Sequence, residues 1–278
     1  MGALSKILVP VMRPVLTDLL RRVGGGFCDE YQTVYDAMTN KPSDELAEAQ
    51  DTFFKVLVNQ SVFSTRDVIY LFAQHSNADG EALINCRNPG THDSTMVNSP
   101  TFTSLVGFTG DGSSAWLNHN ILESEFTHYL LNDACQFHYI SRSGTQNGMS
   151  GYRNYRNYLY IIGASTYLPT KTNTQVAVED YTDGVFAGSR DNSANQESYN
   201  NKSTSTITSV SGDYINPEAM PPGWASLARK DANDTASQFA TYTQSFFMAG
   251  SAMSKAQLDA VTDALEVLMD FSGKGVIS

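Results

Sequence analysis

The sequence predicts a mainly β protein, a sandwich or jelly roll of many short strands with a helical N-terminal region and a C-terminal helix, on three observations. From Asn85 to about Tyr242, Ser, Thr, Asn and Gly punctuate short apolar runs such as YLYIIGAS, TQVAVEDY and STSTITSVSG, the pattern of many short strands. On both sides of that stretch, apolar residues recur at helical spacing instead. With 278 residues, 41% of them hydrophobic, the chain can bury the core that such a sandwich needs.

Residues 1–26 differ in texture from the rest. Lys6, Arg13, Arg21 and Arg22 face a single acid, Asp18, a net +3 that leaves −14 for the remainder. Pro10, Arg13, Pro14 and Asp18 interrupt the apolar run, which therefore reads as neither a membrane span nor a cleaved leader, and is expected to be retained. Leu4, Ile7, Leu8, Val11, Val15 and Leu19 would be a liability exposed to water, so the segment reads as an attachment surface for a base protein of the particle, sister subunits or an anionic membrane, with a fold-back onto its own sandwich as the alternative. Gly24, Gly25 and Gly26 supply a flexible joint behind it.

The next region, 27–84, reads as mostly helical. Pro42 precedes Ser43, a helix cap, and Leu46, Ala49, Phe53, Val56 and Leu57 then recur at helical spacing. The run Val68–Ala73 fits a strand or a helix equally. Residues 85–278 form the third division, the sandwich and its terminal helix. In that helix Ser254 is the cap, Gln257 completes a capping box, and Leu258, Val261, Leu265 and Leu268 make one stripe that Gly273 ends. The polar segment from Ser189 to Ser205 reads as exposed loop or edge strand.

Several chemistries are disfavoured by count and spacing. With 18 basic and 29 acidic side chains, a formal charge of −11, the chain lacks the basic balance that nucleic-acid binding needs. Cys28, Cys86 and Cys135 have no paired spacing, so neither a disulfide framework nor a zinc site is expected, and folding belongs to a reducing compartment. His75, His92, His119, His128 and His138 show no ligand spacing, and no Gly-x-Ser-x-Gly elbow occurs, so no metal and no cofactor are expected. In Thr109–Ser114, a phosphate loop would require a Lys-Ser/Thr pair and a calcium loop more carboxylates than Asp111. Asp111-Gly112 reads instead as a hairpin turn whose residues take positive φ.

The stretch VNSPTFTSLVGFTGDGSSAWLN (97–118) resembles the entry strands of a family of concanavalin-like (LamG-like) jelly-roll proteins common in bacteriophage genomes. VFSTRDVIYLFAQ (62–74), NPGT (88–91) and FFMAGSAMSKAQLDAVTDALEVLMD (246–270) are similar to its upstream, following and closing segments, while about 121–181 departs from the pattern. The resemblance implies an antiparallel sandwich in a virion surface protein of spike or adhesion type, and no particular ligand.

Concanavalin-like folds also include glycoside hydrolases with a Glu-x-Asp-x-x-Glu strand. Here the corresponding run is Glu123-Ser124-Glu125-Phe126-Thr127-His128, in which Glu123 and Glu125 would share a strand face as a solvated acidic end. Tyr152, Tyr155 and Tyr158, interleaved with Arg153 and Arg156, suit sugar rings or an interface, or else a loop feeding a strand whose Leu159 and Ile161 point inward. Trp224, after MPPG, reads as presented to a ligand or to a neighbouring subunit.

The expectation is therefore a non-enzymatic phage protein on the virion surface, made in the host cytoplasm, for host-surface recognition or particle decoration. Its expected partners are other virion proteins, further copies of itself (a trimer favoured) and host surface polysaccharide, with no nucleic acid. A carbohydrate-active hydrolase and a purely architectural capsid or penton component are the alternatives. The cysteine reading has a direct check: reducing agent should leave the melting temperature unchanged, and a shift of several degrees would reveal a stabilising disulfide.

Overall fold

A computed structural model describes residues 26–141, 148–152, 157–162, 165–167, 177–178, 183–192, 195–208, 224–230 and 235–277. The expected attachment residues Leu4 to Leu19 lie outside them.

Helix α1 (Asp29–Ala37) opens with Asp29 and Glu30, whose charges complement its N-terminal dipole. Helix α2 (Asp44–Asn59) is capped as expected, Ser43 Oγ accepting the Leu46 N–H, and buries Leu46, Ala47, Phe53, Phe54 and Leu57. Helix α3 (Lys255–Phe271) has the expected capping box between Ser254 and Gln257 and buries Leu258, Val261, Leu265, Leu268 and Met269. Gly273, at φ +67°, ends it while the Lys274 N–H returns to the Met269 carbonyl. Among the described residues no helix is long and apolar enough to cross a membrane.

The strands follow in chain order: β1 (Arg66–Leu71), β2 (Thr95–Val97), β3 (Thr101–Thr103), β4 (Gly107–Thr109), β5 (Trp116–Asn118) and β6 (Ala134–Ser141). Then come β7 (Gly148–Tyr152), β8 (Asn157–Ile162), β9 (Ser165–Tyr167), β10 (Ala177–Val178), β11 (Gly184–Arg190) and β12 (Asn195–Asn200). The last are β13 (Ser203–Thr208), β14 (Ala225–Ser226), β15 (Arg229–Lys230), β16 (Ala236–Ser237) and β17 (Thr243–Gly250). The run beginning at Val68, open between helix and strand in the sequence, is thus strand through Leu71.

An eight-stranded antiparallel sheet runs β13-β12-β11-β6-β17-β4-β3, with β1 also on β17. Strand β17 serves two partners along one edge: Thr243 and Gln244 pair with β4, and Phe246–Gly250 pair with β1. The polar segment after Ser189 contributes the β12–β13 hairpin at the sheet's edge, and its turn residues Asn201 and Lys202 take positive φ. A three-stranded sheet, β14-β5-β2, and a six-stranded sheet, β10-β9-β8-β7-β15-β16, complete the described sheets.

Both faces of the large sheet are covered. Phe137, Tyr139, Val185, Phe246 and Met248 pack under the helices with Phe53, Leu57, Val261 and Leu265. On the opposite face Val68, Tyr70, Phe108, Phe186 and Phe247 meet Trp116 and Leu117 of β5 and Ala225 of β14. Successive residues of β17 therefore enter different cores, which is why its apolar run FFMA shows no polar alternation.

The Asp111 turn is tight but is not a hairpin. Strand β4 pairs with β3 and β17, whereas β5 pairs with β2 and β14, so the turn carries the chain from one sheet to the other. Gly112 has φ +73°, and a Cβ on Gly110 would lie 2.2 Å from the Ala240 carbonyl oxygen. Asp111 accepts the backbone N–H groups of Ala115, Ser114 and Ser113 at 2.7–2.8 Å, which hold its carboxyl well below the usual carboxylate range. The carboxylate closes the turn.

Polar groups tie the layers internally. His119 bonds Ser94 Oγ at 2.7 Å through Nδ1 and Ser226 Oγ at 2.9 Å through Nε2, and stacks on Tyr70 at 4.5 Å. His138 packs against Phe247 at 4.8 Å and meets the Gln244 amide nitrogen at 3.1 Å. All three cysteines are free, and burial pushes the thiols of Cys86 and Cys135 up to about 12 and about 11. Burial lowers both imidazoles to about 3, with the His138 and Lys230 charges assisting at His119.

Because these folded-state values lie below the ordinary 6.5, the unfolded chain binds more protons between them. Their stabilising share is whole above pH 6.5 and is lost as the pH falls toward 3. Denaturant titrations should show a loss of roughly 2 kcal/mol per histidine between pH 6.5 and 5, at about 1.36 kcal/mol per unit. A flat midpoint over that range would contradict neutral buried imidazoles.

Candidate functional site

A polar cleft of about 370 Å³ opens where three segments converge: the start of β1, the loop 85–93 and the loop 119–128. Its wall includes Arg66, Asp67, Arg87, Asn88, Thr91, His92, Glu125, Thr127 and His128, with Ile121 as an apolar patch.

The first segment is set by a register shift between Arg66 and Val68 against β17. It requires Gly250, where a Cβ would stand 2.3 Å from the Thr65 carbonyl oxygen. Asp67, half-buried beside this irregularity, organises the third segment. Its carboxylate accepts the N–H groups of Thr127 (2.8 Å), His128 (3.0 Å) and Tyr129 (2.7 Å), and the Thr127 hydroxyl (2.9 Å).

Asn85 plays the same part for the second segment. Its side-chain oxygen accepts the Ile69 N–H at 3.1 Å and the Arg87 N–H at 3.2 Å, and its amide donates to the Thr91 carbonyl at 2.9 Å. The Asn88-Pro89-Gly90-Thr91 turn closes on a Thr91 N–H to Asn88 carbonyl bond of 3.0 Å, with Gly90 at φ +83°. Cross-ties lock the second and third loops together. His92 Nδ1 lies 2.7 Å from the Asn120 carbonyl, Asn120 donates to the Asp93 carbonyl at 2.7 Å, and the Tyr70 hydroxyl donates to the His92 carbonyl at 2.6 Å.

Arg87 stands at the rim. Its Nε donates to the Arg66 carbonyl at 3.2 Å, and its guanidinium carbon lies 5.2 Å from the centre of the Phe63 ring. Glu125 turns one carboxylate oxygen back to the Leu122 N–H at 2.6 Å. A rigid cleft lined by planar hydrogen-bonding groups can engage the hydroxyls of a polar ligand from several sides.

Known structures place this arrangement in a fold. The botulinum neurotoxin serotype D binding domain has 9% sequence identity and a TM-score of 0.50, the match covering 74% of this chain and 53% of that one. A mutant of HCR/D gives 9% identity and a TM-score of 0.51, covering 74% and 54%. The fold is a β-sandwich. The chain spans about half the length of these structures, and identity this low speaks to fold alone. No protein-family model matches the sequence, and no curated protein does.

Of the residues singled out from the sequence, His92, Glu125 and His128 line the cleft and Trp224 does not. Trp224 is not presented to a ligand: it is 1% exposed, against Tyr129 at 5.0 Å, Phe126 at 5.1 Å and Phe247 at 5.8 Å, because the sandwich interior claims so large an apolar ring. Tyr152 ends β7 opposite Asn157, and Tyr158 of β8 pairs with Gly151. Tyr155, between them, lies outside the described residues. Glu123–Glu125 is one turn of 3-10 helix and not a strand, so the two carboxylates share no strand face. Among the described residues, no three His, Cys, Asp or Glu side chains converge as metal ligands.

Sequence reading missed Asp67 and Arg87, met His92 only as a candidate metal ligand, and met His128 as that and at the end of the hydrolase-like run. The NPGT turn and the run Glu123–His128 were the local signals at this place. Asp67→Ala should strand the N–H groups of Thr127, His128 and Tyr129, costing roughly 1–3 kcal/mol in guanidinium unfolding and raising amide exchange at those residues. Unchanged exchange there would remove Asp67 from its organising role.

Proposed function

We propose that this chain is a non-enzymatic binding protein of a bacteriophage virion surface, which recognises host surface polysaccharide through the cleft between the loops 85–93 and 119–128. The observation that carries the reading is the cleft: three separate segments, cross-tied by buried or saturated polar groups, hold Arg87, Asn88, Thr91, Glu125 and His128 around one opening. Such preorganisation lowers the ordering cost of holding a flexible saccharide. The sandwich supports it as well, since the solved structures of similar fold include one described as a neurotoxin binding domain. The phage assignment rests on the resemblance carried by residues 62–74, 97–118 and 246–270.

Under this reading the basic, apolar residues 1–23 attach the protein to the particle, in a trimeric assembly, and the acidic sandwich projects toward the host. Binding to purified host polysaccharide should weaken about five- to thirty-fold in Arg87→Ala or Asn88→Ala, equivalent to roughly 1–2 kcal/mol. Release of new reducing ends from that polysaccharide would move the protein to the hydrolases. A chain lacking residues 1–24 should stay folded and fail to join particles; normal assembly would refute the attachment role.

A further inference from the structure

We infer that the cleft selects a saccharide carrying an anionic group, carboxylate or phosphate, and that the Arg87 guanidinium reads that group. The inference rests on the binding reading above and adds the chemical class of the ligand.

Arg87 is held without being neutralised. The bond from its Nε to the Arg66 carbonyl and the Phe63 ring beside its guanidinium fix the plane of the fork. Its terminal nitrogens make no hydrogen bond or ion pair among the described residues. A guanidinium fixed in this way presents two parallel N–H donors, the geometry that a carboxylate or phosphate matches and a lone hydroxyl does not.

Two of the acids around the cleft are held by backbone N–H groups, and a third in part. Asp67 is saturated by Thr127, His128 and Tyr129. Asp93 accepts the N–H groups of Asn85 and Gly90. Glu125 is partly taken by Leu122 and keeps one oxygen to accept a ligand hydroxyl. On its other side Arg87 borders a second cleft of about 440 Å³ with Asp29, Glu30 and Phe63, and among the described residues it forms no ion pair with either acid.

A second guanidinium stands behind the same wall. Arg66 is 1% exposed, donates through Nη2 to the Ser251 carbonyl and the Thr65 hydroxyl, and has no partner for Nε or Nη1 among the described residues. Its charge is screened little by water and offsets the neighbouring Asp67 carboxylate at the same wall.

The test compares three probes by calorimetry at low salt: an oligogalacturonate, its carboxyl-reduced neutral counterpart, and a phosphorylated galactose oligomer. At least one anionic probe should bind ten-fold or more tightly than the neutral one, and which one does so separates carboxylate from phosphate. Arg87→Gln should erase that preference while circular dichroism shows the fold retained. Arg87→Lys, which keeps the charge and loses the fork, should retain only part of it. A preference that survives Arg87→Gln overturns the role of Arg87. Equal affinity for charged and neutral probes, lost in Asn88→Ala, overturns the charge inference and leaves the cleft reading standing. Failure of all three probes to bind overturns both.

Discussion

Burial of the large sheet on both faces is the constraint on which the rest of the structure depends. Strands β6, β11 and β17 lie at its centre, and side chains from both of their faces leave water. A sheet of this kind needs a cover on each side. The helices α2 and α3 supply one through Phe53, Leu57, Val261 and Leu265, and the β14-β5-β2 sheet with its loops supplies the other through Trp116, Leu117 and Trp224. The helical region and the strand-rich region therefore share a core.

That sandwich leaves its connections at the surface, and the cleft is made from two of them and the start of β1. What distinguishes these loops is how little of their polarity is spent on water. Asn85 is fully buried and satisfies three backbone groups, while Asp67 satisfies three N–H groups of a loop some sixty positions away. With the backbone held in this way, the side chains that remain unspent, Arg87 above all, are positioned and available. Rigid placement of a few unspent polar groups is how a small cleft achieves selectivity without large apolar area.

The same economy operates in the interior. His119 and His138 flank Phe247, and the buried amides of Gln136 and Gln244 bond His138. His119 links β1, the segment before β2 and β14 through its ring and its two nitrogens. Neutral imidazoles can do this because each nitrogen finds a defined partner, and the arrangement makes the packing of the layers sensitive to acid.

How far these features can be read in the sequence depends on how far apart the interacting residues are. The caps at Ser43 and Ser254, the stripe of α3, its Gly273 stop and the Asp111 turn were all legible, because each is made by residues within a few positions of one another. The mainly β class was legible too, from composition and punctuation. Tertiary structure alone decided that Val68–Leu71 is a strand, that Asp111 joins two sheets, that Trp224 is core, and that Glu123–Glu125 is a 3-10 turn. It alone brought Asp67, Arg87 and His128 to one opening. The physical reason is the same throughout: a strand buried on both faces carries no alternating pattern, and contacts across sixty residues leave no period in the chain.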